Sequence, residues 1–210
     1  MKRFRVTLLV VCLLLGWLGF NDLSLYLRNR TPQAITIEEL AEQGAPREWL
    51  RVDGGYQDLQ QAINMSGTME IDSFLVPLKA SAETDELLVW FETRDPHIVS
   101  TLKTYYFKID SDQARADFLE ENRRIFFAQR DLTGMAVGNL IADSNKNKLE
   151  KLLTEMGIPV SERIIFISEG KEPTIGRGLF FLAMALLGLG RLLFTLLSKP
   201  AAAAPGKSGQ

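Results

Sequence analysis

One pair of side chains has both the residue types and the spacing of a catalytic pair. Ser100 and Lys103 lie three residues apart, so a helix would place both on one face. An uncharged lysine beside a serine can accept the hydroxyl proton and prepare the serine oxygen for attack on a carbonyl carbon. The pair therefore predicts, as one option, a serine hydrolase with Ser100 as nucleophile and Lys103 as general base.

This Ser-x-x-Lys pattern resembles the nucleophile motif of penicillin-binding proteins and serine β-lactamases. The resemblance covers only four residues. Those families carry further motifs well downstream, whereas here Ser111-Asp112-Gln113 follows closely, lacks the expected Asn, and no Lys-Thr-Gly is present. We therefore expect a chance match and a chain that is not an enzyme.

Cysteine and histidine usage limits the other chemistry. Cys12 and His97 are the only residues of their types, which excludes a cysteine- or histidine-rich metal site. We expect His97 to lie in an exposed turn or at a helix start, with a single general base as the alternative. The sequence thus predicts no cofactor.

A calcium loop is the other motif that the sequence suggests. Residues 143–147 (Asp-Ser-Asn-Lys-Asn) resemble the start of an EF-hand loop. However, Lys148 stands where that loop requires Gly, and Thr154 where it requires Glu. A solvated helix start explains the same residues, so no metal site is predicted.

The elements that would position these residues follow an α+β pattern. Thr36 and Glu39 have the spacing of a capping box, and Gly44 could end that helix. Apolar and β-rich runs predict strands at 49–52, 69–78, 87–92, 103–109 and 163–168, and further helices at 110–129 and 143–156. We expect a small, mainly antiparallel sheet or a partly open barrel with two to three helices.

Both ends of the chain are apolar enough to enter a bilayer. Residues 6–24 and 177–198 are the predicted transmembrane helices, the first as a signal anchor, with a cleaved signal peptide as the alternative. Arg191 interrupts the second segment, and we expect its side chain to reach the headgroups. Each segment also carries small residues on one helix face, which would permit close packing.

The distribution of charge predicts the topology. Residues 21–176 hold all 26 acidic side chains but only 17 of the 24 basic ones, which gives that stretch a charge of −9. Basic residues cluster near the ends of the chain, an arrangement typical of cytoplasmic flanks. We expect residues 1–5 and a disordered tail over 199–210 in the cytoplasm, and an extracytoplasmic domain over 25–176.

Three functions remain open from the sequence. The first is a non-enzymatic accessory or scaffold subunit in a bacterial inner membrane, with a membrane or periplasmic protein as partner. The second is the hydrolase using Ser100 and Lys103, and the third is an envelope sensor. The charge of −9 on the stretch 21–176 disfavours nucleic acid as a ligand.

Overall fold

A computed structural model of the chain describes residues 2–64, 72–84, 87–136, 154 and 164–197. The chain divides into two compact units, one made of residues 1–28 and 174–210 and the other of residues 29–173. Most of the predicted helix 143–156, including the calcium-loop segment 143–147, lies outside the described residues.

The described elements alternate between helices and strands. In chain order they are α1 Lys2–Arg28, β1 Gln33–Thr36, α2 Ile37–Gln43, β2 Trp49–Gln57, a 3₁₀ turn Leu59–Gln61, β3 Ile63–Asn64, β4 Phe74–Lys79, β5 Val89–Thr93, α3 Pro96–Phe107, α4 Asp112–Glu121, α5 Arg123–Phe126, β6 Gln129–Ala136, β7 Ile165–Glu169 and α6 Ile175–Leu197.

Five of the strands close into a barrel in the order β2–β6–β7–β5–β4, with β4 pairing back to β2. The closing contact joins Tyr56 to Lys79 and Gln57 to Leu78 in antiparallel register. Strands β5 and β7 are parallel, whereas the other neighbours in the barrel are antiparallel. The domain is therefore α+β, as predicted, but its barrel is closed where the sequence predicted a small sheet or a partly open barrel.

The connectivity identifies the type of barrel. Strands β2, β4 and β5 form a meander, α3–α5 follow β5, and β6 and β7 complete the closure. This Greek-key order, with its one parallel pair, is that of the OB barrel. Because such common folds carry many unrelated functions, the topology alone assigns none to this chain.

A bulge in β2 makes the closure possible. The register of β2 against β6 shifts between Val52 and Gly55, and Gly54 has a φ of +78°. A Cβ at Gly55 would come within 2.8 Å of the buried Leu78 side chain, which would have to shift to make room for it. The strand predicted at 49–52 therefore continues through this glycine pair to Gln57.

Helices α2 and α5 both contact the barrel. The capping box at Thr36 and Glu39 forms as predicted and starts α2, which sends Ile37 and Leu40 into the core. Gln57 donates from Nε2 to the carbonyl oxygen of Ile125 (2.5 Å), which joins β2 to α5. The core of the domain consists of aliphatic and aromatic side chains.

The predicted strand 103–109 is wrong, because those residues belong mostly to α3. Asp95 caps the helix by accepting from the backbone N–H groups of His97 and Ile98, and Pro96 occupies its first turn. The helix buries Ile98, Val99, Leu102 and Tyr105. This helical spacing outweighs the β propensity of the Thr-Tyr-Tyr-Phe run.

The predicted helix 110–129 is also too long. It breaks at Asn122 between α4 and α5, and residue 129 already starts β6. Strand β6 continues through Gly134. A Cβ at this position would collide with the backbone of Ser168. Glycine at this position permits close packing of β6 against β7.

The second unit contains the two apolar helices. Helix α1 spans 27 residues and α6 spans 23. Their segments Phe4–Arg28 and Ile175–Thr195 are long and apolar enough to cross a bilayer, with mean hydropathies of 2.0 and 1.9.

Candidate functional site

The structure places Ser100 and Lys103 on α3 but does not join them. Ser100 is exposed, and its hydroxyl donates to the carbonyl oxygen of His97 (2.9 Å). No hydrogen bond between Ser100 and Lys103 occurs in the described part of the chain. The hydroxyl proton thus points into the helix backbone, a common arrangement for serine in helices.

His97 is exposed in the first turn of α3. Its backbone N–H donates to Asp95 Oδ1 (2.8 Å) as part of the helix cap. That placement agrees with the predicted helix-start position.

A second Ser-x-x-Lys pair, which the sequence analysis missed, is brought together at the end of β7. The hydroxyl of Ser168 lies 3.3 Å from both Lys171 Nζ and Glu92 Oε2. Lys171 Nζ is 4.0 Å from the same carboxylate, and Arg94 pairs with Glu92 from the other side (3.0 Å). The parallel pairing of β5 with β7 creates this cluster by setting Glu92 opposite Ser168.

The geometry of this cluster favours structure over catalysis. Ser168 is only 5% exposed, so its oxygen is shielded from a substrate. A lysine general base needs a desolvated, uncharged amine. Lys171 is 62% exposed and lies beside a carboxylate, so its amine is not desolvated. The only sequence signal for the cluster is the repeated Ser-x-x-Lys spacing at 168–171.

A polar network centred on Arg130 lies in the barrel domain. Arg130 donates to Glu169 and to Gln57 Oε1, and its guanidinium stacks over the Phe91 ring (5.6 Å). The second carboxylate oxygen of Glu169 is buried and finds no partner among the described residues. The network links β2, β6 and β7 where the strands leave the core.

A buried ion pair links β4 to the residue that follows β2, where these two strands close the barrel. Lys79 Nζ lies 2.7 Å from Asp58 Oδ2, and both side chains are 8% exposed. Asp58 also accepts from the backbone N–H of Gln60 and from Gln61 Nε2, both at 3.1 Å. All three donors satisfy the buried carboxylate, as a stable buried pair requires.

Tyr106 ties α3 to the same 3₁₀ turn. Its hydroxyl donates to the carbonyl oxygen of Gln60 (2.8 Å). Burial, together with the nearby negative groups, raises the pKa of Tyr106 to about 12. The phenol therefore serves as a neutral donor.

The described residues include a small cleft beside α2. A shallow cleft of about 30 Å³ lies between α2 and the β4–β5 end and is lined by Ile37, Ala41, Leu78, Ala80, Thr84, Leu88 and Val89. That volume holds about one water molecule. Within the same part of the chain no three His, Cys, Asp or Glu side chains group as a metal site.

The most distinctive site is the hairpin that α1 and α6 form. Arg177 donates from Nε and Nη2 to both carboxylate oxygens of Asp22 (2.6 and 2.8 Å). The Asp22 side chain is 11% exposed and that of Arg177 is 64% exposed. The bidentate pair fixes the register of the two antiparallel helices at one end.

Small residues bring the hairpin helices together. A Cβ at Gly19 would lie 2.8 Å from the carbonyl oxygen of Gly178, and one at Gly178 would lie 3.0 Å from Asp22 Cβ. Farther along, Cys12 is buried against Gly188. The small faces that the sequence placed on each segment thus pack against one another.

The outer faces of the hairpin are strongly apolar. Of the described residues, nearly all large hydrophobic side chains with high exposure lie in α1 and α6, and Phe107 is the exception at 56%. They include Phe4, Val6, Leu13, Leu14, Trp17, Phe20 in α1 and Phe180, Leu186, Leu187, Leu193, Phe194, Leu197 in α6. Only 11% and 17% of the two apolar windows are buried, unlike core helices of a soluble domain.

Comparisons of this chain with protein families, with curated proteins and with solved structures found no match.

Proposed function

We propose that the chain is a two-pass protein of the bacterial inner membrane that presents its barrel in the periplasm and acts as a non-enzymatic accessory or scaffold subunit. In this proposal the α1–α6 hairpin is the anchor, and the lipid bilayer is its first partner. A membrane or periplasmic protein is the second partner, bound outside the cytoplasm.

The exposed apolar surface of the hairpin carries the proposal. Leaving a Leu or Phe side chain in water costs about 1.5–3 kcal/mol relative to burying it. More than ten such side chains project from α1 and α6 while the helices already pack on each other. Lipid is the environment that removes this cost for both outer faces at once.

The charge at the two ends of the hairpin supports the orientation. At one end Asp22 neutralises Arg177, so that end carries little net charge from the pair. At the other end the sequence supplies Lys2, Arg3 and Arg5 with no acidic neighbour. Basic flanks favour the cytoplasm, so both termini are assigned there and residues 25–176 to the periplasm.

The scaffold role draws on the surface of the barrel domain. Its charge is acidic, and its described surface offers Phe107 as a large exposed apolar side chain. A partner would therefore bind mainly through basic groups that complement the acids. Nucleic acid, which is itself anionic, would be repelled.

The proposal is tested by crosslinking the full-length chain in membranes and purifying it with its partners. We expect one stable protein partner that dissociates as salt is raised, because exposed ion pairs are screened. Recovery of the chain alone, with and without crosslinker, would contradict the scaffold role.

Two charge variants separate recruitment from anchoring. Neutral amides in place of Glu38, Glu42, Asp117 and Glu121, all exposed on α2 and α4, should weaken capture of the partner while the chain stays in the membrane. The matched control exchanges exposed basic residues Lys108, Arg123 and Arg124 for Gln and should leave capture intact. Equal capture by the two variants would argue against an acidic docking surface.

A further inference from the structure

Two charged residues lie in α6: Arg177 near its start, and Arg191 within its apolar length. Arg191 is exposed and lies between Gly190 and Leu192, inside the segment Ile175–Thr195 that could cross a bilayer. An unpaired cation at membrane depth costs about 2.5–3.5 kcal/mol on insertion scales, so it requires a counter-ion or water.

The hairpin itself provides no counter-ion for Arg191. Residues 1–28 and 174–210 contain one acidic residue, Asp22, and Arg177 already holds both of its carboxylate oxygens. Arg5, at the end of the hairpin where α6 finishes, reaches only the carbonyl oxygen of Thr195 (3.5 Å). No Asp or Glu side chain of these two segments is therefore left for Arg191, and its charge is balanced by water or by an anion from outside them.

The position of Arg191 along the helix selects the kind of anion. Arg191 follows Arg177 by 14 residues, which corresponds to about 21 Å of helix. If the Asp22–Arg177 pair lies at the outer boundary of a ~30 Å hydrocarbon layer, Arg191 lies about 9 Å short of the inner boundary. A long arginine side chain can extend most of that distance toward the headgroups.

We propose that Arg191 binds the phosphate of an anionic phospholipid in the cytoplasmic leaflet. This inference rests on the proposed membrane topology. The planar guanidinium matches two phosphate oxygens at once, and the cytoplasmic leaflet concentrates anionic lipids. Arg5 adds positive charge at the same end of the hairpin and strengthens the attraction. A carboxylate on another membrane helix is the competing counter-ion.

The test measures lipid retention by the full-length protein. Wild type, Arg191→Leu, Arg191→Lys and Arg124→Leu are each purified in mild detergent, titrated with phosphatidylglycerol or phosphatidylcholine, and analysed by native mass spectrometry. We expect wild type to retain phosphatidylglycerol preferentially. Arg191→Leu should bind it about tenfold more weakly, equivalent to one charge-assisted hydrogen bond.

The other variants sharpen the result. Arg191→Lys should fall between wild type and Arg191→Leu, because lysine keeps the charge but loses the bidentate fork. Arg124→Leu, which removes the same charge from exposed α5, should match wild type. Equal retention by wild type and Arg191→Leu, or loss of a copurifying membrane protein without loss of lipid, would overturn the inference.

The membrane proposal and the lipid site can be disproved separately. If alkaline carbonate releases the wild-type chain from membranes, the membrane proposal itself is wrong. If the chain resists extraction but Arg191→Leu keeps its preference for phosphatidylglycerol, only the lipid site is wrong.

Discussion

The ion pairs of the barrel domain differ in how far they are buried. Asp58 and Lys79 are nearly inaccessible, and three donors satisfy the carboxylate. By contrast, Arg94 is 64% exposed and pairs with Glu92 at the surface. Removing one partner of a buried pair leaves an uncompensated charge, whereas solvent replaces a lost surface partner. The two pairs should therefore respond very differently to the same type of substitution.

We predict that Lys79→Met lowers the free energy of unfolding by about 3–5 kcal/mol, because Asp58 then stays buried without its cation. The measurement is urea unfolding of the full chain in detergent, followed by tryptophan fluorescence. Arg94→Met is the matched control and should cost about 1 kcal/mol or less. The double variant Asp58→Asn/Lys79→Met should recover part of the loss. A cost below about 1 kcal/mol for Lys79→Met would contradict the role of this ion pair in stabilising the closed barrel.

The two serine–lysine pairs lead to a second prediction at this scale. Ser100 donates to a backbone carbonyl, and Ser168 is shielded between a cation and a carboxylate. We expect neither to react with a fluorophosphonate probe, and Ser100→Ala and Ser168→Ala to leave the phenotype unchanged. Probe labelling that disappears in one of these variants would revive the hydrolase alternative.

At the scale of elements, the hairpin depends on glycine more than the barrel helices do. Gly19, Gly178 and Gly188 each lie where a Cβ would meet the opposite helix. Gly190, two residues beyond Gly188, has no atom within 4 Å of that position. The contrast within one helix provides a direct test of the packing.

We predict that Gly188→Cys forms a disulfide with Cys12, the one natural cysteine, when membranes are oxidised. A Cβ at position 188 would lie 4.0 Å from Cys12 Cβ, within the range of native disulfides. Counting free thiols with maleimide–polyethylene glycol after denaturation should give none in oxidised Gly188→Cys and two in oxidised Gly190→Cys. Two free thiols in both variants would show that α1 and α6 do not pack in this register.

Local signals in the sequence predicted some elements correctly and missed others. The capping box at Thr36 and Glu39 is a short-range device, and it forms as expected. The run at 103–109 was assigned to a strand from its β-rich composition, although Asp95-Pro96 already supplied a helix start. Barrel closure was not predictable, because it depends on contacts between distant residues such as Tyr56 and Lys79.

The candidate sites follow the same division. Spacing alone suggested Ser100 and Lys103, which share a helix but not a hydrogen bond. Glu92 and Ser168 meet only because β5 and β7 are parallel neighbours, a pairing that a single sequence does not reveal. The small faces of the two apolar segments were visible in the sequence, and the Asp22–Arg177 pair needed the helix register.

At the scale of the whole molecule, charge and hydropathy are segregated. The stretch 21–176 carries −9, and the seven remaining basic residues lie in or beside the apolar helices. A soluble protein gains nothing from such segregation, whereas a two-pass membrane protein uses it for orientation. The proposed topology is therefore the claim on which the scaffold role and the lipid site both depend.

Site-directed cysteine labelling in cells tests that claim most directly. In a Cys12→Ala background, Glu120→Cys marks exposed α4 and Lys207→Cys marks the C-terminal tail. In cells with a permeabilised outer membrane and an intact inner membrane, a membrane-impermeant maleimide should label position 120. Position 207 should be labelled only after the inner membrane is disrupted. Protection of position 120, or labelling of position 207 in intact cells, would contradict the proposed topology.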